Sequence, residues 1–267
     1  MYIISHVKLF YPLEGVILKI KEINIITWVG LLINIILFGF FWFLSFYYEI
    51  MINELYLSEH QLPRIFSVIY IPFGIAVAVQ FISLMILFKF PKSGRALAVI
   101  SSMVMLPLSL VFLIGYMFSY EKHCSENLAV YNKQPADIGL IFKSSSALMQ
   151  GVLFIALGLF VIFLGLGAGG LVAGVGVLSL CHSFHLKNRT MIGMMQGNLI
   201  LTPGIYSDTY IIPLADVTLI KEDDRLFKLH IRSAGVDRKC TFRKGMIESE
   251  KYQEPLKEIL SKIARQE

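Results

Sequence analysis

Charged residues are scarce in this sequence and are missing from its longest apolar stretches. Of the 267 residues, 16% are charged and 56% are hydrophobic. Soluble domains are about a quarter charged and about half apolar, so this balance excludes an ordinary soluble globular protein. The charge that is present is concentrated at the end of the chain, because residues 182–267 hold 14 of the 24 Lys and Arg and 11 of the 19 Asp and Glu. We therefore place a domain boundary near Leu180 to Ser183.

Cysteine pairs, a cleavable leader and catalytic motifs are also lacking. Cys124, Cys181 and Cys240 fall in three different segments, with neither disulfide nor zinc spacing. Residues 1–24 mix apolar and charged side chains without a small-residue cleavage site, which argues against a signal peptide. We find no hydrolase, metalloprotease or P-loop motif, and we predict a protein that is not an enzyme and has no cofactor. Acids and bases interleave in the tail, which argues against a nucleic-acid partner.

Four apolar segments are long enough to cross the roughly 30 Å hydrocarbon core of a bilayer. They contain no Asp, Glu, Lys, Arg or His. The fourth stays apolar as far as Leu180, and Pro107 is expected to kink the third. The predicted fold is a membrane all-α bundle of four transmembrane helices in residues 25–180, between a cytoplasmic segment, residues 1–24, and a small soluble β-rich domain, residues 182–267. The predicted spans are about 25–48, 65–88, 96–120 and 147–172.

The distribution of basic residues predicts the orientation. The link between the second and third spans holds Lys89, Lys92 and Arg95, whereas the link between the first and second holds three glutamates and a single Arg. Short cytoplasmic loops carry an excess of Lys and Arg, so this bias places both termini in the cytoplasm. The segment Glu121 to Ser146 is then expected outside.

The tail has the pattern of a β domain. Phe227, Leu229 and Ile231 alternate with polar residues, which is the period of a strand with one buried face. Further short runs rich in Ile, Leu, Val, Tyr and Thr are parted by turn residues. A closing helix is predicted from Pro255, because the apolar residues from Leu256 to Ile263 fall on one helical face.

Two phrases in the tail resemble bacterial PH-like (pleckstrin-homology-like) domains. The first is Leu199-Ile-Leu-Thr-Pro-Gly-Ile-Tyr-Ser-Asp, a strand that ends in a glycine–hydrophobic turn. The second is Tyr210-Ile-Ile-Pro-Leu-Ala-Asp-Val-Thr-Leu-Ile. The resemblance covers residues 182–267 and implies a bent sheet closed by the helix from Pro255. It also implies lipid or protein contacts and attachment to membrane helices, and it supplies no catalytic residues. It favours a bacterial inner (plasma) membrane.

Six basic residues are the candidate contacts with a lipid surface or a protein partner. A cation beside an anionic leaflet gains about 1 kcal/mol, and these six follow the last span or lie near the end of the predicted sheet. A plain solvated surface explains them equally well, and both interpretations stay open. The six are Lys187, Arg189, Arg238, Lys239, Arg243 and Lys244.

A glycine-rich stretch in the fourth span is a candidate for helix packing. It matches G-x-G-x-x-G, but a dinucleotide motif follows a strand and opens a soluble helix, which this stretch does not. Glycines four residues apart let helices approach closely, within the bundle or between copies in a homo-oligomer. Cys181, His182 and His185 nearby offer metal-ligand atoms without a further partner, so we predict no metal site. The packing glycines are Gly165, Gly169, Gly170 and Gly174.

These observations predict a non-enzymatic integral membrane protein whose cytoplasmic domain binds a protein partner or the lipid surface. Two alternatives remain. A transporter or channel subunit predicts a neutral polar path lined by Asn34, Gln80 and Gln150. An immunity-type protein against a membrane-directed toxin predicts contacts in the outside segment Glu121 to Ser146.

Overall fold

The computed structural model describes residues 22–55, 61–132, 136–165, 169–248 and 252–265, with side chains described outside residues 48–69. Contacts divide the chain into two units. The first comprises the described residues of Met1–Val104 together with Val111–Ser119. The second comprises Met105–Leu110 and the described residues of Tyr120–Glu267. Among the residues that the structure describes, four helices are long and apolar enough to cross a membrane: Ile25–Tyr47, Tyr70–Leu87, Ser144–Phe163 and Gly169–Leu186.

The first unit is built from helices. Helix α1 is Ile25–Leu55, α2 is Gln61–Leu87 with Pro72 inside it, α3 is Pro91–Val104 and α4 is Leu110–Cys124. Helix α1 runs antiparallel to α2, since Asn34 Nδ2 donates to Gln80 Oε1 at 2.8 Å and the rings of Phe41 and Phe73 meet edge to face at 5.2 Å. The first two predicted spans are therefore confirmed as helices.

Helix α4 packs closely along α1. A Cβ on Gly30 would lie 2.2 Å from the Phe112 nitrogen, and one on Gly115 would lie 2.2 Å from the Thr27 nitrogen. Small residues thus let the two backbones touch. The contact is antiparallel, because Thr27 and Ser119 hydroxyls are 2.9 Å apart near the start of α1 and the end of α4.

The third predicted span, 96–120, is not one helix. Residues 105–109 form a turn, with Pro107 inside it, between α3 and α4. In one continuous helix, Gly94 and Tyr116 would be roughly 33 Å apart. In the structure a Cβ on Gly94 would lie 2.6 Å from the Tyr116 hydroxyl, so α4 folds back along α3. Pro107 was expected to kink a single helix, but it lies in a turn at which the chain reverses its direction.

The fourth predicted span, 147–172, is also wrong, because it holds parts of two helices. Helix α5 is Ser144–Phe163 and α6 is Gly169–Leu186, and they form an antiparallel hairpin. At the base of the hairpin, Ser183 Oγ donates to the Ser144 carbonyl at 2.9 Å. Large apolar side chains on both helices are exposed, as expected of a pair surrounded by lipid.

The β domain consists of two antiparallel sheets and a final helix. A five-stranded sheet has the order β1-β5-β4-β3-β2, and a three-stranded sheet has the order β6-β7-β8. Helix α7, Gln253–Ala264, follows them, and the predicted apolar face, from Leu256 to Ile263, is buried in the shared core. The strands are β1 Ala129–Val130, β2 Ile138–Ile141, β3 Thr190–Met195, β4 Asn198–Leu201, β5 Tyr210–Pro213, β6 Val217–Glu222, β7 Leu226–Ser233 and β8 Val236–Arg243.

The domain begins before the α5–α6 hairpin and not at residue 182. Strand β2 pairs with β3, for example Gly139 with Gly193, and β1 pairs with β5. The segment Glu121 to Ser146 therefore supplies two strands to the sheet that the tail completes. The prediction that this segment and the tail lie on opposite sides of a membrane is wrong, because strands that share hydrogen bonds cannot be separated by a bilayer.

Candidate functional site

The six predicted contact residues do not form one cluster. Three of them are held inside the β domain. Arg238 Nη1 lies 2.7 Å from Glu121 Oε2, and Lys244 Nζ lies 2.8 Å from Glu222 Oε1. Arg189 donates to the Ser207 carbonyl and lies 3.3 Å from an Asp208 oxygen. Lys187 is exposed just after α6. Only Lys239 and Arg243 share a surface, which is the outer face of the three-stranded sheet.

That outer face is basic. In β8 the residues of even number, Arg238, Cys240 and Phe242, point inward, while Lys239 and Arg243 are exposed. In β7 the inward residues Phe227, Leu229 and Ile231 are fully buried, so the alternate positions face outward. The register places cationic residues of all three strands on this side. We name these five residues the basic face: Lys221, Lys228, Arg232, Lys239 and Arg243.

The arrangement of the basic face works against stability of the sheet. Lys221 stands directly opposite Lys228, and like charges at directly opposed positions are destabilising. Lys221 also contacts Asp223, at 2.7 Å. Within the described residues, Lys228, Lys239 and Arg243 make no hydrogen bond or ion pair through their side chains. Cations held together without internal partners indicate a surface for an anionic ligand.

One acid lies on the same face. Asp237 Oδ1 lies 2.6 Å from Nε2 of His230, which is itself mostly buried. The hydrogen bond from His230 lowers the pKa of the Asp237 carboxyl, so this carboxylate is ionised at neutral pH. This carboxylate does not neutralise the five cations of the basic face, so the net charge of the surface is positive.

Both ends of β8 contact the ends of apolar helices, α4 at one end and α5 at the other. Near its start, Arg238 reaches Glu121 and, at 3.4 Å, Ser125, which belong to the end of α4. Just after its end, the Lys143 nitrogen donates to the Met246 carbonyl at 2.7 Å, one residue before α5 begins. The exposed side of β8 is thereby held close to the level at which these helices end.

The loop between β4 and β5 joins the helix ends to each other. Ser207 Oγ donates to Glu121 Oε2 at 2.7 Å, while Arg189, which follows α6, holds the same loop at Ser207 and Asp208. His182 of α6 bonds the Tyr206 hydroxyl, with the two rings 4.9 Å apart. Burial raises the pKa of Tyr206 to about 12, so the phenol stays neutral.

These loop contacts account for the two histidines considered as metal ligands. His182 bonds Tyr206, and His185 Nε2 lies 2.9 Å from Arg189 Nη1. Cys181 is exposed. A guanidinium beside an imidazole opposes cation binding, so the structure gives this trio no metal-binding geometry.

The predicted packing glycines have different surroundings. A Cβ on Gly169 would lie 2.5 Å from the Gly158 carbonyl oxygen across the hairpin, and one on Gly174 would lie 2.8 Å from Pro107 Cβ. Gly165 adopts φ +77° in the turn after α5, and a Cβ on Gly170 would meet nothing within 4 Å. Three glycines of the hairpin that the spacing did not single out are also in close contact: a Cβ on Gly158 would lie 2.4 Å from the Ala173 nitrogen, and Cβ atoms on Gly176 and Gly151 would lie 2.7 and 2.8 Å from their nearest neighbours.

The three polar residues of the transporter alternative are also placed. Asn34 and Gln80 are fully buried and bonded to each other. Asn34 Oδ1 and Gln80 Nε2 have no other partner within the described residues, and no water-sized space touches them. Gln150 lies on α5, in the second unit, and is exposed. The pair is an interhelical contact, and interhelical hydrogen bonds of this kind contribute about 0.6 kcal/mol in membranes.

No family model, curated protein or solved structure matches the chain.

Sequence reasoning found part of this site. It identified Lys239 and Arg243, and it recognised the alternation of β7 without carrying Lys228 and Arg232 into the candidate list. It missed Glu121, whose partner Arg238 is 117 positions away in the chain. No local sequence pattern predicts a contact between residues so far apart in the chain.

Proposed function

We propose that the chain is a non-enzymatic integral membrane protein whose cytoplasmic β domain binds anionic lipid headgroups through the basic face. The observation that carries the proposal is the row of cations on the outer face of a sheet whose edge strand, β8, is tied at both ends to helix ends. An acidic protein partner is the other outcome of the test.

The α5–α6 hairpin supports the anchoring. Helix α5 has 20 residues, about 30 Å of helix, which matches the hydrocarbon core of a bilayer. The chain leaves the domain after β2 and returns to it at β3, so the hairpin crosses twice and the domain stays on one side. Anchoring of this kind raises the effective concentration of the domain at the lipid surface.

The charges around the hairpin support a cytoplasmic domain. Lys143, Lys187 and Arg189 flank its base, whereas residues 164–168 at the other end carry no charge. By the excess of Lys and Arg on the cytoplasmic side, the base faces the cytoplasm. A bacterial inner (plasma) membrane is the location that we propose.

The topology of the domain supports the PH-like assignment. Strands β2 to β5 form one antiparallel run, β6 to β8 form a second, and α7 closes the chain with its apolar face buried. In this proposal the α5–α6 hairpin is an insertion between the first two strands of the PH-like unit. The inserted hairpin explains why a domain of this type is fixed to the bilayer.

Lysine footprinting of the full chain tests the proposal. The protein is reconstituted in nanodiscs that contain either phosphatidylcholine alone or a mixture with phosphatidylglycerol, and its lysines are modified with an amine reagent. We expect Lys228 and Lys239 to react more slowly in the anionic discs, because headgroups cover them. Lys257, exposed on α7, is the control and should react equally in both.

Equal reaction rates at Lys228 and Lys239 in the two kinds of disc would rule out the lipid contact. Protection that appears only when a purified acidic protein is added would favour a protein partner. The immunity-type alternative loses its motivating observation, because Glu121 to Ser146 supplies strands of the domain and not an outside loop.

A further inference from the structure

We propose that residues 91–124 form a re-entrant helical hairpin, which enters and leaves the bilayer on one side and turns near the midplane. The segment consists of α3, the turn at residues 105–109 and α4. Neither helix crosses a bilayer by itself, because their 14 and 15 residues measure roughly 21 and 22 Å against a core of about 30 Å.

The reversal of the chain is the first argument. A Cβ on Gly94, near the start of α3, would lie 2.6 Å from the hydroxyl of Tyr116, near the end of α4. The same hydroxyl donates to the Ser83 carbonyl, at 3.1 Å, near the end of α2. The entrance of α3 and the exit of α4 are therefore at the same level as the end of α2.

The depth of the turn can be read from α1. Phe112 contacts Gly30, which is five residues, or about 8 Å, from the start of the span at Ile25. From Phe112 back to Leu110, the first residue of α4, is a further ~3 Å. The turn before α4 therefore begins ~10 Å inside the membrane, well within the ~30 Å core.

Helix α6 gives a second, independent measure. The hypothetical Cβ of Gly174 would lie 2.8 Å from Pro107 Cβ and 3.0 Å from Leu110 Cδ1, so the turn rests on this glycine. Gly174 is twelve residues from the end of α6 at Leu186, which corresponds to ~18 Å. Both measures place the turn well inside the bilayer, and the second places it near the middle.

The turn is compatible with such an environment. Within it, the Ser109 nitrogen donates to the Met105 carbonyl and the Leu110 nitrogen to the Pro107 carbonyl, both at 3.2 Å. Irregular backbone is tolerated inside a membrane where its polar groups are satisfied and covered by protein. Leu106 and Leu108 point outward and supply apolar surface for lipid.

The hairpin has a consequence for the β domain. Its return arm, α4, ends at the contact between Glu121 and Arg238 of β8. Glu121 lies eleven residues from the start of α4, about 17 Å, just beyond the ~15 Å half-thickness of the core. A hairpin of this depth holds β8 at the level of the headgroups. This last step depends on the proposed function, whereas the re-entrant course does not.

Sided amine labelling of the unmodified protein tests the course of the chain. Full-length protein in sealed vesicles is treated with a membrane-impermeant amine reagent from one side, and modified lysines are identified by mass spectrometry. Lys92, exposed near the start of α3, and Lys122, exposed near the end of α4, should both be modified from the same side of the membrane. Modification of Lys92 and Lys122 from opposite sides overturns the proposal.

A depth measurement tests the position of the turn. Leu108→Cys carries a spin label in a Cys124→Ser, Cys181→Ser background. Cys240 is retained, because it is buried and burial raises its thiol pKa to about 11, so it reacts slowly with the label. We expect the spin label at residue 108 to collide more often with oxygen than with a water-soluble nickel chelate. Leu164→Cys, at the far end of α5, is the comparison and should contact the chelate from the other side.

Strong chelate contact at Leu108 overturns the mid-bilayer turn, even where both lysines label from one side. Failure of the lipid footprinting with success of these two experiments refutes the proposed function and leaves the re-entrant hairpin in place. Success of the lipid footprinting with failure of these two experiments refutes the re-entrant hairpin and leaves the proposed function in place.

Discussion

Neutralising three cations of the basic face is the most direct perturbation of the proposed lipid contact. The triple variant Lys228→Gln, Lys239→Gln, Arg243→Gln changes outward residues of β7 and β8 that make no internal ion pair in the described part of the chain. The fold should therefore be retained. Each cation near an anionic leaflet contributes about 1 kcal/mol, so the loss is about 3 kcal/mol, or roughly 150-fold in affinity.

The assay needs the β domain without its membrane helices. A fragment of residues 182–267 alone is unsuitable, because it lacks β1 and β2 of the five-stranded sheet. The bases of α5 and α6 are close together, since Ser183 Oγ lies 2.9 Å from the Ser144 carbonyl oxygen. A short Gly-Ser linker can therefore join residue 143 to residue 187. Circular dichroism and thermal melting establish that this hairpin-replaced domain folds before its binding is measured.

Binding to phosphatidylglycerol vesicles is then followed by sedimentation at several salt concentrations. Affinity of the parent domain should fall between 0.1 and 1 M salt, since the screening length shortens from about 10 to about 3 Å. A control variant with the same change in net charge is Lys257→Gln, Lys262→Gln, Arg265→Gln on α7, and it should lose far less. Equal losses in the two triple variants, or a loss below about threefold at the basic face, would refute the reasoning.

Three other predictions concern contacts inside the molecule. Glu121→Leu leaves Arg238 without its carboxylate and should lower the free energy of unfolding of the hairpin-replaced domain by about 3 kcal/mol, while adding Arg238→Met should restore most of it; additive losses in denaturation would contradict this. Gly158→Ala should destabilise the full chain in nanodiscs by about 1–3 kcal/mol, because its Cβ would lie 2.4 Å from the facing helix, whereas Gly170→Ala should leave the melting temperature unchanged. The buried Tyr206 keeps its proton in the folded state to a pKa of about 12, against 10.0 when exposed, so its stabilising contribution is present below pH 10 and is lost as the pH rises to about 12. Tyr206→Phe should remove that part of the pH dependence of unfolding.

The β domain was predictable where its signals are local. The alternation of Phe227, Leu229 and Ile231 identified β7, and the helical spacing from Leu256 to Ile263 identified α7, since each pattern exposes one face and buries the other. Strands β1 and β2 were not recognised as part of the domain. Their partners lie beyond the α5–α6 hairpin, and pairing between strands so distant in the chain leaves no periodic trace in either segment.

The membrane part was predictable in apolar content but not in path. Hydropathy measures how long a segment is apolar, and a re-entrant turn with internally bonded backbone has the same hydropathy as a straight crossing. Residues 96–120 were therefore predicted to be one span, although the chain reverses its direction between α3 and α4 at residues 105–109. In residues 147–172 the error is opposite, because the five residues of the sequence between α5 and α6 are uncharged and do not interrupt the apolar signal.

The two errors offset each other in the number of candidate spans. Replacing one crossing at 96–120 by a reversal removes a span, and dividing 147–172 into α5 and α6 adds one. Within the described residues the number of candidate spans is therefore four, as predicted, although two of the four are not the predicted ones. The side of Glu121 to Ser146 does change, from opposite the tail to the same side. In the proposed re-entrant course, Lys122 and Lys143 join Lys89, Lys92 and Arg95 on the side that we assign to the cytoplasm, and the sequence between α5 and α6 carries no charge. The re-entrant course thus agrees better with the excess of cytoplasmic Lys and Arg than a third full crossing does.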